Sequence, residues 1–273
     1  MANRFVHWLK SVVASLYWLS TVGHWGINGV FNALYRGQSQ SETFRGIYRE
    51  VFGPEYPEEV DSTGFLTVSE LGRFAQDLHV SPGQKFVDLA CGRGGATLWL
   101  ARQTGASAVG VDIAKVAIAD AQRRIAAFGV EGRARFQVGD IADTRFADGA
   151  FDAAMSIDAL FMVPDKTGTF QEAARILKPG ARFAFTTWEL DEPQRVKDYR
   201  PLLESNGFEI VSYDECAGWL ERQRGVHERI IANRDKLIAE MGQQSASVWL
   251  SFSQMELPKL KLMKRIYVVA RKR

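Results

Sequence analysis

Between Lys85 and Trp188 the apolar positions come in short runs separated by longer amphipathic stretches. Lys85–Ala90, Ala108–Asp112, Ala134–Val138, Phe151–Ile157 and Arg182–Trp188 are apolar or alternating runs of strand length. Lys115–Phe128 puts Ile118, Ala121, Ile125 and Phe128 on one helical face, and Lys166–Leu177 does the same with Phe170, Ala174 and Leu177. The Lys178-Pro179-Gly180 triplet stops the second helix. Strands alternating with helices predict βαβ units in an α/β, doubly wound, mostly parallel sheet covered on both sides. Further on, Val196–Asn206 reads as helix and Gly207–Glu215 as strand. Cys216–Met241 reads as a long charged helical stretch with one exposed side, and Arg265–Arg271 as a final short strand. Residues 38–84 are polar and turn-rich, a connecting region with short helices around Phe44–Val51 and Val68–Asp77.

The N-terminal pattern differs. No charged residue occurs from Ser11 to Tyr35, and Phe5, Trp8, Leu9, Val12, Val13 and Leu16 line one helical face. A membrane span needs about 20 predominantly apolar residues. Ser20, Thr21, Gly23, His24, Gly26, Asn28, Gly29 and Asn32 interrupt this one. No compact apolar region with a small-residue cleavage site marks a signal peptide. The pattern fits an amphipathic helix, a glycine break and a second short helix, packed on the protein's own body. Such a face also suits a membrane surface.

Composition adds bounds. The 273 residues are 46% hydrophobic and 24% charged, ordinary globular values, and the net charge is +2. No basic patch with interleaved aromatics precedes the last fifteen residues. The Lys and Arg there flank the apolar run Ile266–Ala270, as on a solvated strand edge, so no nucleic-acid partner is expected. Cys91 and Cys216 lie too far apart in the sequence to suggest a disulfide framework, and His7, His24, His79 and His227 are scattered. No metal is expected, and a reduced, cytoplasmic protein is the default. The oligomeric state stays open, a homodimer included.

The chemistry concentrates after the first strand, in Cys91-Gly92-Arg93-Gly94-Gly95. Gly92 and Gly94 let the backbone approach a ligand, and the helix beginning near Gly95 points free N–H groups at it. The dinucleotide pattern G-x-G-x-x-G fails, because Thr97 stands where the third glycine belongs. Asp88 before the turn would repel a pyrophosphate and attract an ammonium. Asp112, ending the second strand, suits ribose hydroxyls, and Asp140, ending the third, suits an adenine amine. A ligand with an amino-acid end and a nucleoside end fits this set better than a dinucleotide.

The ordered segments VDLACGRGG, VGVDI, FQVGDI, FDAAMSIDAL and ARILKPGARFAFTTW resemble those of class I S-adenosylmethionine-dependent methyltransferases of the small-molecule, natural-product type. The resemblance spans about residues 65–215 and departs where the family's first turn glycine is Ala90. It implies a Rossmann-like methyltransferase fold, seven strands with the last antiparallel. The expected organisation is an N-terminal helical extension, residues 1–64, that serves as a cover, and an S-adenosylmethionine-binding domain of residues 65–273 with a helical lid at about 216–256. It implies S-adenosyl-L-methionine as cofactor and S-adenosyl-L-homocysteine as product. Asp88 and the turn with Ala90, Gly92 and Gly94 would face the methionine part, so that a side chain at Gly94 would fill the methionine's space. Asp112 and Ile113 would hold the ribose and one adenine face, and Asp140 and Ile141 the adenine. Ser156 and Asp158 would border the sulfonium and the acceptor.

Methyl transfer rests on alignment, and a base is needed only for an acceptor that arrives protonated. Many small-molecule relatives carry a histidine just after the fourth strand, where this chain has Phe161 and Met162. Those two, with Trp188 and Asp158, are the expected acceptor wall. An amine or an electron-rich carbon is favoured; a phenol or carboxylate acceptor stays open, with Asp158, Glu189, Tyr213 and His227 as the candidate catalytic groups to assist it. Trp8, Trp18, Trp25, Trp219 and Trp249 outside the sheet motifs suit either a hydrophobic acceptor or core packing. A cyclase or isomerase that keeps the cofactor on this fold, and a lipid methyltransferase held at a membrane surface by residues 1–35, are the alternatives.

Overall fold

In the computed structural model, residues 26, 28–62, 64–192 and 195–273 are described. The expected first helix, its Phe5–Leu16 stripe and Trp8, Trp18 and Trp25 lie outside them. A helix over 28–38 (α1) is the first described element.

The chain divides into two units. One combines the described residues up to Tyr56 with Gly218–Met263; the other is Pro57–Ala217 with Lys264–Arg273. The boundaries differ from those read in the sequence, which parted the N-terminal extension from the later helical stretch at residue 64. Long-range side-chain pairing joins the two segments of the first unit. Helix α2 (Glu42–Phe52) has a stripe of Phe44, Ile47, Tyr48 and Phe52 buried. Its partners come from α8 (Trp219–Ala232) and α9 (Arg234–Glu256). Phe44 stacks obliquely on Trp249 with centroids 4.6 Å apart, Arg229 pairs with Glu50 at 2.8 Å, and Glu240 accepts from the hydroxyls of Ser41 and Thr43. The single helical stretch expected over Cys216–Met241 is two helices, and α9 is itself broken at Gly242, where φ is 78°.

The other unit carries the sheet. Its strands are β1 (Lys85–Leu89), β2 (Ser107–Asp112), β3 (Ala134–Val138), β4 (Phe151–Ile157), β5 (Leu177–Leu190), β6 (Phe208–Glu215) and β7 (Met263–Lys272), in the order β3-β2-β1-β4-β5-β7-β6. β1 to β5 run parallel to one another, and β7 is antiparallel to β6. This is the doubly wound sheet that the alternation predicted. Helices α4 (Gly95–Thr104), α5 (Lys115–Arg124) and α6 (Lys166–Ile176) are the crossovers. The Lys-Pro-Gly stop sits in an irregular stretch of β5. Leu177 pairs with Phe151 but Arg182 already with Ala153, and Gly180 has φ 78°. α3 (Val68–Asp77) begins at a capping box between Thr67 and Glu70. The helix expected over Val196–Asn206 shrinks to α7 (Arg200–Ser205), since Pro201 supplies a first helical turn and disfavours helix before it. The core between sheet and helices holds Val87, Leu89, Val111, Phe170, Phe183 and Phe185.

Candidate functional site

The carboxyl ends of the five parallel strands lie along one edge, and order reverses between β1 and β4. That is where ligands of such sheets bind. The turn after β1 takes three left-handed residues, Ala90 (φ 65°), Gly92 (φ 53°) and Gly94 (φ 71°). Ala90 therefore occupies a conformation that glycine adopts freely and an alanine adopts at a cost of about 1–2 kcal/mol. The N–H groups of Ala90 and Cys91 donate to the Val111 carbonyl, at 2.8 and 3.0 Å. Burial pushes the Cys91 thiol well above its ordinary pKa, so it stays an unreactive packing group.

Gly94 has a different role from the one expected. A Cβ there would lie 2.6 Å from Phe136 Cζ and 2.8 Å from Ala121 Cβ. It would strike the core under the turn, rather than project towards a ligand.

Asp88 is buried, at 2% exposure, and its Oδ2 accepts from the Thr97 hydroxyl at 2.5 Å. Its Oδ1 is buried with no partner. Burial drives its pKa up to about 7, the Thr97 bond pulls it down, and the Asp112 charge adds to the rise. Asp112, also buried, accepts from Gly92 N–H on Oδ2 and from Ala114 N–H on Oδ1, both at 2.8 Å. Burial raises its pKa too, and those backbone bonds oppose the rise. Ile113 follows it, half-buried. Asp140 is exposed, with Oδ1 capped by the Ala142 N–H at 2.9 Å, and Ile141 belongs to the core.

A raised carboxylic pKa has a consequence for stability. An Asp88 that titrates near 7 when folded and near 3.8 when free weakens the fold as pH rises through that window. Without cofactor, the melting temperature of the protein should fall from pH 5 to pH 8 by more than that of Asp88→Asn. Parallel curves in calorimetry would show that Asp88 titrates normally.

On the β4–β5 side, Phe161 and Trp188 meet edge to face with centroids 4.8 Å apart, and Phe65 meets the same indole at 5.6 Å. Sequence reading missed the Phe65 ring of this cluster, because Phe65 sits in the irregular segment before α3. Met162 is half-buried at the end of the same short turn as Phe161.

The candidate bases are placed less favourably. Asp158, at φ 56°, accepts on Oδ1 from Thr186 Oγ1 (2.8 Å) and Arg265 Nε (2.9 Å), and on Oδ2 from Phe65 N–H (2.6 Å) and Arg265 Nη2 (3.2 Å). Arg265 is itself fully buried and also holds Glu70 at 2.6 Å. Burial opposes its charge, but the two carboxylates overcome this and raise its pKa. Asp158 is thus an ion-pair anchor, not a free base. Ser156, expected beside the sulfonium, is fully buried and donates to the Leu89 carbonyl at 2.8 Å, tying β4 to β1. Glu189 accepts from the Tyr213 hydroxyl in a short bond. Burial and that carboxylate push the Tyr213 pKa far up, so the phenol keeps its proton. His227 belongs to the helical unit. Its Nδ1 lies 3.1 Å from Ser253 Oγ, and burial lowers its pKa to about 3, so it stays neutral. Among the described residues no cluster of His, Cys, Asp and Glu could hold a metal ion. Nor is any described helix long and apolar enough to cross a membrane.

Residues 87–185 match a family model described as a methyltransferase domain. The chain carries a class I S-adenosylmethionine-dependent methyltransferase domain. The methyltransferase GfsG of Streptomyces halstedii is 27% identical to it over 197 residues, 63% of this chain and 70% of that protein. Phosphoethanolamine N-methyltransferase 3 of Arabidopsis thaliana is 27% identical over 187 residues, 68% of this chain and 36% of that protein. The matched region thus spans about a third of this second relative. Among solved structures, that of the cyclase SpnF matches with a TM-score of 0.66 at 23% identity, over 75% of this chain and 80% of that one, a likeness of fold. The methyltransferase domain takes S-adenosylmethionine as cofactor. Its turn fits that group: the partnerless, buried Oδ1 of Asp88 is an acceptor suited to an ammonium.

Proposed function

We propose that the protein transfers a methyl group from S-adenosylmethionine to a small, hydrophobic acceptor through an amine or an electron-rich carbon. The observation that carries this reading is the pairing of a three-ring wall, Phe65, Phe161 and Trp188, with carboxylates already committed to other partners. Asp158 is held by Arg265, and Glu189 accepts the hydrogen bond of the Tyr213 hydroxyl. An acceptor that needs little help in losing a proton suits such a site. The bound cofactor supplies an electrophilic methyl on sulfur. This chain's part is to hold its amino-acid end at Asp88 and the Ala90–Gly94 turn, its ribose at Asp112 and Ile113, and its adenine at Asp140 and Ile141. The rings exclude water from the acceptor and orient it.

A labelled-methyl screen over amines, phenols and terpenoids tests the reading. Label transferred to an amine or a carbon supports it, and label transferred only to phenols overturns it. Tight cofactor binding with no label transferred to any acceptor, but with substrate cyclised, favours the cyclase alternative. Activity that appears only with liposomes favours the membrane-surface one.

The ribose assignment has its own test. Asp112→Ala should weaken binding by about 1.5–3 kcal/mol, the range for hydrogen bonds to a charged group. The loss should persist with 5′-methylthioadenosine, which keeps the ribose and lacks the amino-acid end. Unchanged affinity in a folded Asp112→Ala protein removes the ribose from this carboxylate.

A further inference from the structure

Arg93 stands in the middle of the glycine turn, where a guanidinium would ordinarily be read as a hand for the cofactor's carboxylate. Two of its three nitrogens point elsewhere. Nη1 donates to Asp61 Oδ2 at 2.8 Å and Nε to Asp120 Oδ2 at 2.5 Å. The three side chains keep only 11%, 19% and 17% of their surface exposed, so two carboxylates already balance the charge. Asp120 lies in α5, and Asp61 in the loop that precedes α3. The same loop is gripped a second time. Arg124 donates to the carbonyls of Glu59 and Val60, at 2.8 and 2.9 Å, and to the carbonyl of Arg93 itself at 3.1 Å. The Val60 carbonyl is so close to Gly95 that a Cβ there would sit 2.0 Å from it.

A turn with three left-handed residues, one of them an alanine, persists only where its surroundings over-determine it. Backbone bonds to Val111 and the Asp112 carboxylate hold its inner side. On the outer side stands Arg93, tied to two elements far apart in sequence.

We propose that Arg93 is a positioning residue for the cofactor. Through Asp61 and Asp120 it keeps the Ala90–Gly94 turn in the conformation that receives the methionine part, without touching the cofactor. The proposal rests on the reading that this turn is the cofactor site. It makes a kinetic statement. When a binding-competent conformation becomes a minority, apparent affinity falls by the fraction that remains competent. A lost direct contact instead speeds release.

The test is rapid mixing of the full-length protein with S-adenosylhomocysteine, followed by tryptophan fluorescence; Trp99 lies in α4, just beyond the turn. Arg93→Met should slow association about tenfold and leave the release rate within about twofold. Asp61→Asn should act in the same direction, and the double variant should be no worse than Arg93→Met. Arg93→Lys should recover part of the association rate. If association is unchanged while the melting temperature drops, Arg93 is a structural ion pair and the proposal fails. If release accelerates and association holds, it is a direct cofactor contact and the proposal fails. Should Arg93→Met not fold, Asp61→Asn with its intact Arg93–Asp120 pair decides in the same way. A wild-type protein that does not bind S-adenosylhomocysteine overturns the reading of the turn itself, and the proposal with it.

Discussion

Arg265→Leu is expected to lower stability by about 3–5 kcal/mol, the cost of breaking a buried ion network by removing one sign of charge. The guanidinium has no exposed surface, and it is shared between Glu70 and Asp158. Without it two carboxylates stay buried beside each other, one of them on a residue already in a left-handed conformation. The free energy comes from the charge left behind rather than from the lost side chain, so a second substitution separates the two. Arg265→Leu combined with Glu70→Gln should recover part of the loss in urea unfolding. If the double variant is no more stable than Arg265→Leu alone, the network is not what holds β7 to α3 and β4.

Gly94→Val should be comparably damaging. A β-branched residue at φ 71° costs about 1–2 kcal/mol for the left-handed backbone, and overpacking a core costs about 1–3 more. The clash is with Phe136 and Ala121, so the fold as well as the cofactor site should suffer, with a total near 3 kcal/mol or above. Trimming the obstacle tests the cause. Phe136→Leu should restore some stability to Gly94→Val although it weakens the wild type. If denaturant midpoints stay put and only cofactor binding is lost, the side chain at position 94 projects towards the ligand after all.

These two sites also mark how far the sequence could be read. Strand and helix alternation from Lys85 to Trp188 is a local signal, and it carried over to the sheet with strand ends shifted by at most a residue, while the helix expected over Lys115–Phe128 stops at Arg124. Leu177–Leu190 is the exception, since pairing begins before the Pro-Gly irregularity that looked like a connection. The turn was legible because glycine spacing is local as well. Arg265 was not, because its partners stand 195 and 107 positions away, and no periodicity links them. The same blindness made Asp158 look available as a base and Arg93 look unremarkable. His227 was picked for its residue type. Only burial with Ser253, in the helical unit, shows it to be a packing group. The spacing of glycines located the turn but could not tell which side each missing Cβ faces, so the reason for Gly94 was read backwards.

The helical unit is assembled from two segments of chain that six of the seven strands separate: Ser41 and Glu240, which share a hydrogen bond, are 199 residues apart. On a ribosome that makes about 5–20 residues each second, the later helices follow α2 by some ~10–40 s. Throughout that interval the Phe44, Ile47, Tyr48 and Phe52 stripe has none of its final neighbours in α8 or α9. β7 follows the other six strands in the sequence, yet it stands between β5 and β6, so the nascent sheet stays one strand short until Met263–Lys272 has emerged. Synthesis therefore exposes an aromatic surface and an open sheet gap to chaperones and to other nascent chains until α8, α9 and β7 have emerged. C-terminal truncations that end before Met263 should fail through aggregation during expression, even when every residue of the cofactor turn is present.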